Sequence, residues 1–163
     1  RKYIRCPYQR KQNRIHTPLT ANKEVPIEPK ELVQSIVQHV YATKGKDIRV
    51  LDLDNIVSYC GTFVLCTANS ARQVKAIADN IMMSLKKEHN LLPLGVEGKD
   101  NNSWILIDYE EVIVHVFNEE TRDYYTLDSL WMEAPIIPLE TFGIDPNQEE
   151  EDSDSDSDSG YDD

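Results

Sequence analysis

Residues 103–117 read SWILIDYEEVIVHVF, and the fold turns on how this stretch doubles back. Two apolar runs, Ser103 to Asp108 and Val112 to Phe117, are separated by so few residues that a β-hairpin is the natural connection. Residues facing each other across an antiparallel ladder lie on the same side of the sheet. A loop of even length therefore places Trp104, Leu106, Asp108, Ile113 and His115 on one face and Ile105, Ile107, Val112, Val114 and Val116 on the other, whereas a three-residue loop would break that assignment. The second face is wholly apolar and is expected to pack under helices. The first is mixed, which leaves Trp104, Asp108 and His115 available to solvent or to a partner.

Upstream of the hairpin, Leu32, Val33, Ile36, Val37, Val40 and Tyr41 recur at helical spacing. They predict a helix from Pro29, a good first-turn residue, to about Thr43, with Gly45 as its stop. Ile48 to Leu53 reads as a strand, residues 54–61 as a turn or short helical connection, and Thr62 to Thr67 as a strand apolar enough to be buried on both faces. Asn69 or Ser70 can cap a second helix running to about Glu88, whose stripe is Val74, Ile77, Ala78, Ile81, Met82 and Leu85. Leu91 to Gly98 follows as a strand whose proline favours an edge. Short helical turns through Glu119 to Trp131 close the domain. The expected fold class is α/β, a mixed β-sheet of about five strands flanked by helices, over residues 29–133.

Charge divides the chain into three parts. Residues 1–30 hold eight Lys or Arg against Glu24 and Glu28, and residues 140–163 hold eleven acids and no base. Residues 1–28 show no periodicity and contain Pro7, Pro18 and Pro26, so they read as a flexible basic arm, open to incidental ribosomal RNA contact or to being the remnant of an organelle transit sequence. Residues 134–163 read as an acidic, disordered tail, in which Ser153 and Ser155 stand in acidic context as candidate phosphorylation sites. The stretch between is itself acidic, a poor match to a nucleic-acid backbone and a better one to a basic protein. Cysteines at 6, 60 and 66 lack zinc or redox spacing, and their odd number fits a reducing compartment. No run approaches eighteen apolar residues, so no membrane span is expected.

Taken in order, LDL (51–53), the Phe63-Val64 strand, SARQVKAIAD (70–79), LLPLGVEG (91–98), WILIDY (104–109), VIVHVF (112–117) and ETRDYYTLDSLW (120–131) resemble the ribosomal silencing factor family, also called iojap-like, over about residues 30–133. The resemblance implies a nucleotidyltransferase-like sheet without the catalytic carboxylate set, no cofactor and no enzymatic activity. It further implies docking on the large ribosomal subunit through its fourteenth ribosomal protein, at the subunit interface, so that the small subunit is sterically kept from joining and translation falls. Trp104 and Ile105 are the residues it points to most directly as the contact. With Asp108, Tyr109 and His115 they form the expected ribosomal-protein site, in which the hairpin parity supports Trp104 but turns Ile105 inward. Self-association off the ribosome is compatible with this picture. The implied location is the cytoplasm, with mitochondrion or chloroplast as the alternative. This chain departs from the family at Gly61 and Thr62, where an Asp-Tyr or similar pair is usual, and at Glu110, where a turn glycine is common.

Competing readings start from other residues. Asp52 and Asp54 in LDLD can hold Mg²⁺ for nucleotidyl transfer if they share a strand face, but no phosphate-cradling glycine turn precedes them. His115 with Asp108, or Cys66 with His115, can be drawn as catalytic pairs, yet neither has a nucleophile turn or oxyanion donors in the sequence. A role in assembling the large subunit needs the same docking surface as silencing and is the nearest alternative.

Overall fold

The computed structural model describes residues 27–145. Most of the basic arm and the acidic stretch from residue 146 onward, with Ser153 and Ser155, lie outside the described residues.

Helix α1 spans Pro29–Ala42 and begins at its proline, whose missing N–H costs nothing in a first turn. Strand β1 (Lys46–Asp52) follows, then β2 (Thr62–Ala68) and helix α2 (Ala71–His89). The start of α2 is fixed by Ser70, whose hydroxyl accepts from the Gln73 N–H at 3.1 Å, while the Gln73 side chain accepts from the Asn69 N–H at 2.7 Å. Its end is fixed by Asn90 in the left-handed region, with Lys86, Lys87 and His89 set against the carbonyl end of the helix dipole. Strands β3 (Gly95–Glu97), β4 (Trp104–Asp108) and β5 (Val112–Asn118) are succeeded by short helices α3 (Glu119–Tyr125) and α4 (Leu127–Leu130), strand β6 (Ile136–Ile137) and a 3-10 turn at Leu139–Phe142.

The sheet has six strands in the order β3-β4-β5-β2-β1-β6. Only β2 and β5 pair in parallel, so the sheet is mixed as expected. The sixth strand lies where the acidic tail was expected to have begun: β6 pairs with β1 through Val50↔Ile137 and Leu51↔Ile136. Phe142 and Ile144 then drop into the core beside α1. The folded domain thus runs past residue 133, because Ala134, Phe142 and Ile144 are buried and Ile137 and Leu139 pack against the core. The strand expected over Leu91 to Gly98 shrinks to three residues, since Pro93 has no N–H to give to a ladder. It is an edge strand, as its proline indicated. Gly98 is required where it stands: its φ is +89°, and a Cβ there would lie 1.8 Å from the Trp104 carbonyl oxygen.

The hairpin keeps the even register. Asp108 faces Ile113, Leu106 faces His115 and Trp104 faces Phe117. The reversal occurs at Glu110 and Glu111, and Glu110 takes φ +71°, the conformation a turn glycine adopts without strain. The Asp108 carboxylate compensates by accepting from the Glu110 N–H at 2.8 Å. As expected, Ile105, Ile107, Val112, Val114 and Val116 join Val64 and Cys66 in a core under α1 and α2, against Ile36, Val40, Ile77 and Ile81.

Candidate functional site

The face carrying Trp104 and His115 was expected to be open, and the structure corrects this. It holds a second core made of Leu51, Leu53, Phe63, Leu65, Trp104, Leu106, Ile113 and Phe117, closed over by Leu127, Ala134, Tyr125 and Trp131. Trp104 is only 7% exposed and His115 only 1%. The reason lies in residues 119–136, whose short helices sit on the sheet instead of beside it. Tyr125 lies over Trp104 with ring centroids 4.9 Å apart, and Trp131 meets Phe63 edge-on at 5.6 Å.

Beneath that cover the aromatic groups are locked together. The Trp104 indole N–H donates to His115 Nδ1 at 3.1 Å, which defines the ring nitrogen that accepts. Phe117 stacks against His115 at 5.9 Å and lies 4.8 Å from Trp104, and Phe63 meets His115 edge-on at 4.8 Å. The five residues expected to form one contact site are divided by the sheet: Trp104, Asp108 and His115 lie on the face of this second core, whereas Ile105 and Tyr109 belong to the core under α1 and α2. Burial pushes the Tyr109 phenol above its usual range.

The pairs drawn for catalysis are also separated. Cys66 lies level with Val116 and so points away from His115, and burial raises its thiol to about 12. Asp52 ends β1 and its carboxylate accepts from the Asp54 N–H at 3.1 Å, so Asp54 lies in the turn beyond the strand and not on a shared strand face. Cys60 at the same end is pushed to about 12 by burial and by the carboxylates of Asp108, Glu111 and Asp54.

The residue that holds the cover in place is one that sequence reasoning passed over as a site residue. Arg122 in α3 is 8% exposed and donates through Nε and Nη2 to both oxygens of Asp128, at 2.9 and 3.1 Å. Its Nη1 donates to the Thr67 hydroxyl at 3.1 Å and its Nη2 to the Asp47 carbonyl at 3.2 Å, while its guanidinium lies 5.8 Å from the Phe117 ring centroid. One side chain thereby ties α3 to α4, β2 and β1. The available signal was a lone Arg among Glu119, Glu120, Asp123 and Asp128: a cation so placed has partners at hand when it turns inward.

What remains outside is apolar and acidic. Tyr124, Leu130, Met132 and Ile136 are exposed, and Glu119, Glu120, Asp123 and Glu133 are exposed among them. Among the described residues no helix is long and apolar enough to cross a membrane.

Comparison with known proteins agrees with this geometry. The family model described as "Ribosomal silencing factor during starvation" matches residues 26–162. A protein named "Ribosomal silencing factor RsfS" from Halalkalibacterium halodurans is 36% identical over 110 residues, covering 68% of this chain and 93% of that one. Its namesake from Bacillus subtilis is 38% identical over 101 residues, 62% of this chain and 84% of the relative. A crystal structure of protein CV0518 from Chromobacterium violaceum superposes with a TM-score of 0.62 at 35% identity, over 65% of this chain and 88% of that one. A more distant mouse relative, 26% identical over 101 residues, is named "Mitochondrial assembly of ribosomal large subunit protein 1"; the match covers 61% of this chain and 44% of that protein. The relatives carry names of silencing and assembly factors and not of enzymes. With the family model matched over most of its length and the same fold in a solved relative, this chain belongs to the ribosomal silencing factor family.

Proposed function

We propose that this chain binds the large ribosomal subunit through a ribosomal protein at the subunit interface, the fourteenth in the usual count, and blocks the small subunit sterically. No reaction is needed for that role. The observation that carries the reading is a domain closed on both sheet faces, whose outer surface over α3 and α4 is apolar and acidic. A blocking body works by occupying volume, and a surface held stiff before binding loses little entropy on docking. Trp104, Asp108 and His115 act on that contact from beneath, on the sheet face under α3 and α4, while Ile105 and Tyr109 hold the hairpin against α1 and α2. The cytoplasm is the proposed location. Sucrose-gradient sedimentation of purified large and small subunits tests the proposal: added chain is expected to leave the subunits unjoined and to travel with the large one. Normal joining at saturating chain would refute silencing.

Assembly of the large subunit is the second reading, favoured by the name of the mouse relative, with an organelle as its setting. It predicts binding to immature large subunits together with normal joining of mature ones.

A further inference from the structure

We propose that the acidic segment 146–163 folds back across α1 and lies along the outward ridge of α2, an intramolecular strap over a basic stretch of the domain surface.

Helical spacing sets that ridge. Arg72, Met83, Lys86 and Lys87 fall on the side of α2 opposite its buried stripe of Val74, Ile77, Ala78, Ile81 and Leu85. All four are exposed, Met83 by 71%. The two acids of α2 do not neutralise the ridge. Asp79 pairs with Lys75 one turn away at 3.4 Å. Glu88 turns toward α1, where its carboxylate lies 3.2 Å from His39 Nε2 and accepts from the Ser35 hydroxyl at 3.4 Å. Arg72, Lys86 and Lys87 make no ion pair among the described residues.

The path of the chain and its charge identify the occupant. After β6 the backbone crosses to the helix side of the sheet, where Phe142 and Ile144 are buried in the core that α1 and α2 share. Gln38 of α1 donates to the Phe142 carbonyl at 3.3 Å, and His39, the next residue, meets Glu88 at the end of α2. The width of one helix, about 10–12 Å with its side chains, thus separates the start of the segment from Lys87. Extended, residues 146–163 reach roughly 60 Å, enough to cross α1 and follow α2 over its whole length. They hold nine acids and no base. The opposite sheet face repels such a segment, because Glu119, Glu120, Asp123 and Glu133 are exposed on the stretch that covers it. Residues 1–26 are basic as well, but α2 presents its cations on a backbone already fixed by its own hydrogen bonds, so pairing there costs less ordering. A segment tethered this close acts at an effective concentration in the millimolar range, so individually weak ion pairs suffice. The strap cancels the charge of a ridge otherwise suited to a phosphate backbone.

Zero-length carbodiimide cross-linking of the full chain, read by mass spectrometry, tests this. The reagent joins a lysine amine to a carboxylate, with loss of water, only where the two touch. An equal mixture of unlabelled and nitrogen-15 chain separates links within one molecule from links between copies. Links from Lys86 or Lys87 to the carboxylates of residues 149–158 are expected within single molecules, at least tenfold above those from Lys99, which is exposed in the turn after β3. Raising salt to about 1 M, where the screening length is about 3 Å, should abolish them. Glu149→Gln with Glu150→Gln and Glu151→Gln should lower the remaining links to residues 152–158 at least threefold. Links to Lys2, Lys11 or Lys23 in place of Lys86 and Lys87 would assign the segment to the basic arm and overturn the proposal. So would links that join labelled with unlabelled chains, links to Lys99 in equal yield, or a yield that neither salt nor the triple substitution changes.

Discussion

Asp128→Ala and Arg122→Met remove opposite halves of one ion pair, and their costs are expected to differ in a definite order. Asp128 has a side chain 31% exposed against 8% for Arg122, and it keeps Arg49 at 3.5 Å when Arg122 is gone. Its carboxylate can therefore rehydrate. Arg122 in Asp128→Ala stays buried with only neutral acceptors, the Thr67 hydroxyl and the Asp47 carbonyl. An uncompensated buried charge costs about 3–5 kcal/mol, whereas an apolar replacement of similar volume is tolerated far better. The loss of hydrogen bonds in Arg122→Met is worth about 1–2 kcal/mol. For a domain of this size each kcal/mol moves Tm by roughly 4 °C. Urea denaturation followed by tryptophan fluorescence, with far-ultraviolet circular dichroism as a second probe, measures both variants. Asp128→Ala should be the less stable by about 2 kcal/mol. The reverse order, or two losses below about 0.5 kcal/mol, would show that Arg122 is not the clamp described above.

Other expectations follow from single contacts. Trp104→Phe keeps the ring stack but removes the N–H given to His115, and should cost about 1–2 kcal/mol in the same denaturation assay; Trp104→Ala also opens a cavity and should cost about 3–5 kcal/mol. Near-equal losses would mean that the indole is not packed as described. Glu110→Gly relieves a positive φ and should stabilise by about 0.5–1 kcal/mol, read as a higher Tm; a lower Tm would place the turn in another conformation. Cys60 and Cys66, both pushed to about 12, should resist iodoacetamide at pH 8 while folded and react on unfolding, as mass spectrometry of the labelled chain would record. Rapid labelling of either in the folded chain would contradict its burial.

The strongly periodic parts of this fold were legible because one physical rule governs each. The hairpin parity followed from strand geometry given a loop of even length, which the structure has, and both long helices followed from their stripes and from Pro29 and the Asn69 or Ser70 cap at their starts, of which Ser70 is the one used. Openness of the Trp104 face was not legible. His115 and Asp108 look like surface residues in an alternating pattern, yet the His115 ring accepts from Trp104, and the Asp108 carboxylate accepts from its own turn. Each of these residues thus finds a hydrogen-bond partner within the fold, and a polar residue with such a partner can be covered. What covers it is set by Arg122 reaching across to Thr67, fifty-five residues earlier in the chain, a contact no local pattern encodes. The same holds for β6, two residues long and recognisable only by its pairing with β1.

Stoichiometry tests the account most directly, because a body that blocks by occupying space acts one for one. The chain is titrated into a fixed concentration of large subunits, well above the dissociation constant, and joining to small subunits is followed by light scattering. Inhibition is expected to rise linearly and to saturate at one chain per large subunit, unchanged by added nucleotide. Full inhibition at a small fraction of that ratio, or none at a large excess, would contradict a non-catalytic blocking role.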